Sequence, residues 1–139
     1  MQEDDIPDIL EIERRSFTTP WSETSFLNEL QKTFSITKVA VLENHIIGYF
    51  CANYIFDEGH ILNLAVHHDF RRQGIGTALM NNAINELKEK DCRFLYLEVR
   101  VSNIAAIKFY ERFGFRIIGF RRNYYINPKE DAALMMLGL

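Results

Sequence analysis

The chain has 139 residues, 47% of them hydrophobic and 25% charged, with a formal net charge of −3. That is the size and balance of one ordinary globular domain, long enough to bury a substantial core. The charge argues against wholesale nucleic-acid binding. The two cysteines and four histidines make no disulfide framework or metal pattern. No run of about 18 apolar residues is present, nor a signal peptide, so a cytoplasmic protein with no membrane part is expected.

Residues 5–16 read as a helix, with Ile6, Ile9, Leu10 and Ile12 as its apolar stripe. Phe17 to Trp21 break it, and Ser22 is placed to cap a second helix through about Leu30. Ser25 stands where a capping box would have an acid. Three β-rich runs follow, Ser35–Leu42, Ile46–Phe56 and His60–Val66. Glu43-Asn44-His45 and Asp57-Glu58-Gly59 separate them as turns, which predicts an antiparallel meander.

Arg71-Arg72-Gln73-Gly74-Ile75-Gly76 then leads into a helix over about 75–90. Ile75, Leu79, Met80, Ala83, Ile84 and Leu87 lie on one face of that helix. A strand, a basic glycine loop and a helix start together suit a phosphate-bearing ligand, because free N–H groups and the positive dipole end point at it. The spacing excludes both the Walker loop and the dinucleotide fingerprint. Taken alone, the loop equally fits a plain strand-to-helix turn carrying surface arginines.

A strand over Arg93–Val99 completes a βαβ unit with parallel strands. Asn103 is a candidate cap for a helix over 104–113, closed by Gly114 in the left-handed conformation. Phe115–Phe120 and Ala132–Leu137 read as closing strands, and Asn127 to Asp131 as a loop between them.

On the strand 93–99, Glu98 shares a face with Phe94 and Tyr96. It lies near the carboxyl end of an apolar strand, where α/β sheets bind ligands. It should open onto the same crevice as the basic loop. The alternative is a strand-end glutamate paired with Arg100. Tyr110 shares a helix face with Ala106 and Phe113; it is either a core tyrosine or a phenol aimed into the crevice. His67 and His68 are adjacent, which fits a loop better than a metal site. Cys51 and Cys92 read as inert buried thiols.

The Arg71–Gly76 segment resembles the acyl-coenzyme A signature of the GNAT superfamily of N-acetyltransferases. Asn63-Leu64-Ala65-Val66, Leu97 to Asn103, Ala105 to Phe115, Arg121 to Tyr125 and Pro20-Trp21-Ser22 stand in that family's order and spacing. Together they resemble its ribosomal-protein-alanine N-acetyltransferases, over most of residues 6–137. The resemblance implies an α+β fold over 1–139, a single domain. Its mixed sheet would combine an antiparallel meander with a splayed parallel βαβ core, flanked by helices.

It further implies direct acetyl transfer from acetyl-CoA to an amine, without metal or a covalent enzyme intermediate. Leu64, Ala65 and Val66 would pair with the pantetheine arm, and a Val66 N–H would polarise the thioester carbonyl. Arg71, Arg72, Gln73, Gly74, Ile75, Gly76 and Thr77 would hold the pyrophosphate, and Asn103 and Tyr110 would lie near the thioester. Glu98 would be the general base, its pKa raised by desolvation. Tyr110 would protonate the leaving thiolate. Trp21 and Tyr124 would wall the amine site. The implied acceptor is the N-terminal peptide of a ribosomal protein, and the implied assembly a monomer or weak homodimer. Alternatives are a small-molecule amine or lysine acetyltransferase and a non-catalytic acetyl-CoA sensor. The family usually has a strand before the first helix; this chain begins almost at that helix, with Met1 to Asp5, so the strand is absent or very short, or the start was chosen downstream.

Overall fold

The computed structural model describes all residues, 1–139. Its elements in chain order are α1 (Ile6–Ser16), α2 (Glu23–Gln31), β1 (Ser35–Leu42), β2 (His45–Ile55), β3 (Glu58–Val66), α3 (Ile75–Glu89), β4 (Phe94–Arg100), α4 (Ile104–Glu111), β5 (Arg116–Ile126) and β6 (Lys129–Gly138). Short 3-10 turns at Glu3–Asp5 and His68–Phe70 precede α1 and follow β3. One six-stranded sheet has the order β1-β2-β3-β4-β6-β5. No helix is long and apolar enough to cross a membrane.

Local chemistry sets most boundaries. Ser22 caps α2 by accepting the Ser25 N–H at 3.1 Å, and the two serine hydroxyls lie 3.1 Å apart in place of a full capping box. Glu43 and Asn44, at φ 51° and 65°, form the tight turn between β1 and β2. Asn103 Oδ1 accepts the Ala106 N–H at 3.1 Å and starts α4, and Gly114 at φ 101° ends that helical stretch. The ammonium of Met1 donates to the Thr37 carbonyl of β1 at 3.2 Å.

Two apolar clusters sandwich the sheet. One joins α3 and α4 to Phe50, Ile61, Leu95, Leu97, Ala133 and Met135. The other joins α1 and α2 to Tyr49, Cys51 and Ala65. β3 contributes to both because its register against β2 slips between Cys51 and Ala52, opposite Asn63 and Ile61. Such a bulge reverses the alternation of side chains. Ile61 therefore faces α3, whereas Asn63 and Ala65 face α1.

The parallel pairing of β3 with β4 is short. Only Glu58, Gly59 and His60 meet Phe94, Leu95 and Tyr96, and beyond them the strands part. β4 then pairs along its whole length with β6, so the wedge between β3 and β4 stays open toward their carboxyl ends.

The closing strands are longer than their composition suggests. β5 runs to Ile126 and β6 begins at Lys129, so Asn127–Asp131 is not a loop: only Asn127 and Pro128 separate the strands. Polar residues here form strand because β5 is a sheet edge that buries little. A register shift between Arg121 and Tyr125 pushes Arg122, Asn123 and Tyr124 out of the ladder.

Candidate active site

The open wedge brings the basic loop and Glu98 to one end of the sheet. Arg72 at φ 63° and Gly74 at φ 82° turn the chain into α3. A Cβ on Gly74 would meet nothing within 4 Å, so its role is conformational and the space beside it is free. The first N–H groups of α3 open there beside Ile75, Gly76 and Thr77. Gly76 lies against the Phe109 ring, 3.4 Å from an added Cβ. Gln73 and Arg72 are exposed. The Arg71 side chain turns away from the loop, its Nε 3.4 Å from the Val66 carbonyl and its Nη2 3.5 Å from Ser16 Oγ. Free amides, a left-handed glycine and an unpaired strand edge at Leu64–Val66 suit a long phosphorylated thioester.

Glu98 is held from two sides. Its Oε2 lies 2.6 Å from Nε2 of His60 on β3, and its Oε1 lies 3.2 Å from Nε of Arg121 on β5. Arg100, the alternative partner read from the sequence, instead pairs with Glu130 at 3.1 Å. The Glu98 side chain is 7% exposed. Desolvation pushes its carboxyl upward, but the hydrogen bond and charge of His60 and the charge of Arg121 outweigh it and hold the group below the ordinary range. This overturns the expectation of a raised pKa, which assumed burial without charged partners.

His60 was not singled out in the sequence. Its register opposite Tyr96 puts it on the Glu98 face, a signal available only once β3 and β4 are aligned. A cavity of about 270 Å³ opens beside the pair, lined by Ile55, Glu58, Tyr96 and Arg121 among others.

Tyr110 packs against Phe109 and Phe115, with ring centroids 5.3 and 5.8 Å away. Burial pushes its phenol up to about 12. Asn103, at the head of the same helix, spends its carbonyl oxygen on the cap. Tyr124 is half exposed and stands in the field of Glu98: burial first, then that negative charge, pushes its phenol up.

Trp21 packs at a tilt against Phe26, ring centroids 5.2 Å apart, and its backbone N–H donates to Glu13 Oε2 at 2.9 Å. Glu13, 1% exposed, also accepts from the Tyr49 hydroxyl and from Asn63 Nδ2 at 3.1 Å. This buried carboxylate ties α1, the segment after it and β3 together, and its sequence signal is faint because it reads as one more polar residue on an amphipathic helix.

His67 and His68 are stacked in the turn after β3, with centroids 4.3 Å apart, and with Asp69 their ligand atoms lie within 4.8 Å of one another. Nδ1 of His67 already accepts the Asp69 backbone N–H. Both cysteines are free and buried, and burial pushes both thiols up.

Comparison with known proteins matches this arrangement. The model of the Acetyltransferase (GNAT) family matches residues 6–115. The ribosomal protein bS18-alanine N-acetyltransferase of Escherichia coli strain K12 is 38% identical over 138 residues, 96% of this chain and 90% of that protein. A crystal structure of the Escherichia coli enzyme superposes with a TM-score of 0.91 at 36% identity, covering 99% of this chain and 90% of that one. A GNAT family acetyltransferase from Elizabethkingia anophelis, solved with acetyl-CoA bound, gives 0.75 at 26% identity, covering 85% of this chain and 84% of that one. The chain belongs to the GNAT family of acetyltransferases.

Proposed function

We propose that residues 1–139 act as one domain that acetylates the N-terminal α-amine of a ribosomal protein beginning with alanine, drawing the acetyl group from acetyl-CoA. The observation that carries this reading is the Glu98–His60 pair, a proton-accepting group at the root of the wedge, combined with 38% identity to a bS18-alanine N-acetyltransferase along nearly the whole chain. Bound acetyl-CoA would supply the acetyl group as an activated thioester. Leu64, Ala65 and Val66 would lie along its arm, the amides from Arg72 to Thr77 would hold its pyrophosphate, and the Arg71 backbone would complete the loop. Asn103 would border the arm near α4.

An α-amine has a pKa of about 8 and is mostly protonated near neutrality. Glu98 is ionised near neutrality and is available to accept the proton, directly or through a water, although the pull of His60 and Arg121 makes it a weaker base than an ordinary carboxylate. His60, in contact with Glu98 and with its side chain 35% exposed, offers the onward path into the adjoining cavity. Tyr110 keeps its phenolic proton across the neutral range and is a standing donor for a departing sulfur. Trp21 and Tyr124 would flank the amine. A metal plays no part in this scheme. The domain would work in the cytoplasm, without membrane or nucleic-acid contacts, as a monomer or weak homodimer.

The test is a peptide assay with acetyl-CoA. Acetylation of an alanine-starting bS18 peptide at its α-amine supports the reading. Turnover only on free polyamines would make the protein a small-molecule acetyltransferase, and cofactor binding without turnover on any amine would make it a sensor.

A further inference from the structure

We propose that Arg100 is the positioning residue of the acceptor site, a clasp that fastens the segment between α1 and α2 to the β5–β6 turn and to the head of α4. Arg100 ends β4, two residues beyond Glu98 on the same face. Its Nη1 donates to the Pro128 carbonyl at 2.9 Å and to Glu130 Oε1 at 3.1 Å. Its Nη2 donates to the Asn127 carbonyl at 3.1 Å and to Thr18 Oγ1 at 3.2 Å. The guanidinium stacks over Tyr125, 4.3 Å from the ring centroid. Glu130 carries the connection onward, its second oxygen accepting the Ser102 N–H at 2.7 Å beside the Asn103 cap. Thr19 Oγ1 adds a bond to the Asn127 carbonyl at 3.2 Å.

Trp21 holds the far end of the first segment through its N–H on buried Glu13, and the strand ladder holds the base of the hairpin, but the stretch 17–20 and the turn at 127–128 lie outside both supports. Residues 17–20 and 126–128 belong to neither apolar cluster, and all of them are exposed. Segments with few apolar contacts open at low cost in free energy. Their distance from each other is therefore set by polar bonds, most of them from one planar fork of donors. Lysine could not reproduce that fork. Arg100 need not touch the reacting atoms: it acts by holding Trp21's segment and Tyr124's hairpin as two sides of one channel. This rests on the reading of those segments as the walls of the amine site.

The experiment compares the wild type with Arg100→Gln and Arg100→Lys by amide hydrogen exchange and by steady-state kinetics with acetyl-CoA and an alanine-starting peptide. In Arg100→Gln, exchange should quicken in both segments and the peptide KM should rise about tenfold, the equivalent of about one charge-assisted bond. Saturated kcat and acetyl-CoA affinity should stay within about twofold, and Arg100→Lys should fall between. Unchanged exchange, an unchanged KM, or kcat and cofactor affinity falling in step with KM would each overturn the clasp. If Arg100→Gln does not fold, Thr18→Ala removes one arm and must show the same KM-only change, smaller; no change overturns the proposal. A wild type inactive on every peptide would overturn the functional reading instead, and hydrogen exchange alone would then decide whether the clasp exists.

Discussion

Nε2 of His60 lies 2.6 Å from Oε2 of Glu98, across two parallel strands that pair at only three positions before they part. The contact sits at the root of the wedge. Pairing ends at His60 and Tyr96, two residues before Glu98, so the carboxylate stands where the strands begin to part. The chemistry proposed for this chain thus depends on where β3 and β4 stop being neighbours.

Replacing His60 with glutamine should move the acid limb of the kcat/KM profile to higher pH. The sign follows from the forces on Glu98: desolvation raises its pKa, and His60 supplies the first and second of the opposing effects. Without His60, Arg121 alone opposes burial, and the base form of Glu98 is lost at a higher pH. A limb that stays in place would remove His60 from the proton path.

Glu98→Gln should lower saturated turnover by about 10²-fold or more, the usual worth of a positioned base. Acetyl-CoA affinity, measured by calorimetry, should be kept, since the loop that would hold the pyrophosphate is a separate element. Tyr110→Phe should also slow transfer with little change in melting temperature, because the ring still packs on Phe109 and Phe115. Wild-type rates in either variant would reduce that residue to packing.

Gly74→Val should weaken acetyl-CoA binding and cost about 1–2 kcal/mol of stability, because a β-branched residue is forced to positive φ. The space around Gly74 is open, so the stability cost is confined to the backbone. Unaltered cofactor affinity would mean that the loop is a plain turn.

Glu13→Ala should destabilise the fold by about 3 kcal/mol, since it strands the Tyr49 hydroxyl, the Asn63 amide and the Trp21 N–H in a dry interior. Denaturant unfolding measures this directly. A loss under about 1 kcal/mol would show that water reaches the site and takes over those bonds.

Stability should fall in acid partly through Glu98 and Glu130, both held below the ordinary carboxylate range. Their contribution is complete above the unfolded value of about 4.3 and is lost as pH drops through the lower folded values. Glu130→Gln should flatten this part of the pH–stability curve. The same slope in variant and wild type would mean that the bonds Glu130 accepts from Ser102 and Arg100 add nothing to the fold.

Much of the architecture was legible because local signals agree with the final structure. Ser22 and Asn103 announce their helices by caps, and Gly114 marks an end by its left-handed turn. The stripe from Ile75 to Leu87 sets the α3 face. The glycine loop could be placed at the start of α3 for the same reason. What local chemistry could not give is register. His60 looks like any strand-end histidine until β3 is laid against β4, and the bulge opposite Cys51 decides which of Ile61 and Asn63 faces α1. Arg100 offered itself as an alternative partner for Glu98 by nearness in sequence, whereas Arg121 arrives from a strand two positions across the sheet. Lys129 to Asp131, the start of β6, read as loop since this polar end of the hairpin leaves no apolar alternation to find.

The central claim is that the wedge delivers acetyl groups to an N-terminal alanine. Its most direct measurement is mass spectrometric mapping of a bS18 N-terminal peptide after incubation with acetyl-CoA and either the wild type or Glu98→Gln. The account predicts a single acetyl group on the alanine α-amine with the wild type and a strongly reduced yield with the variant. No acetylation by the wild type, or acetylation confined to internal lysines, would contradict it.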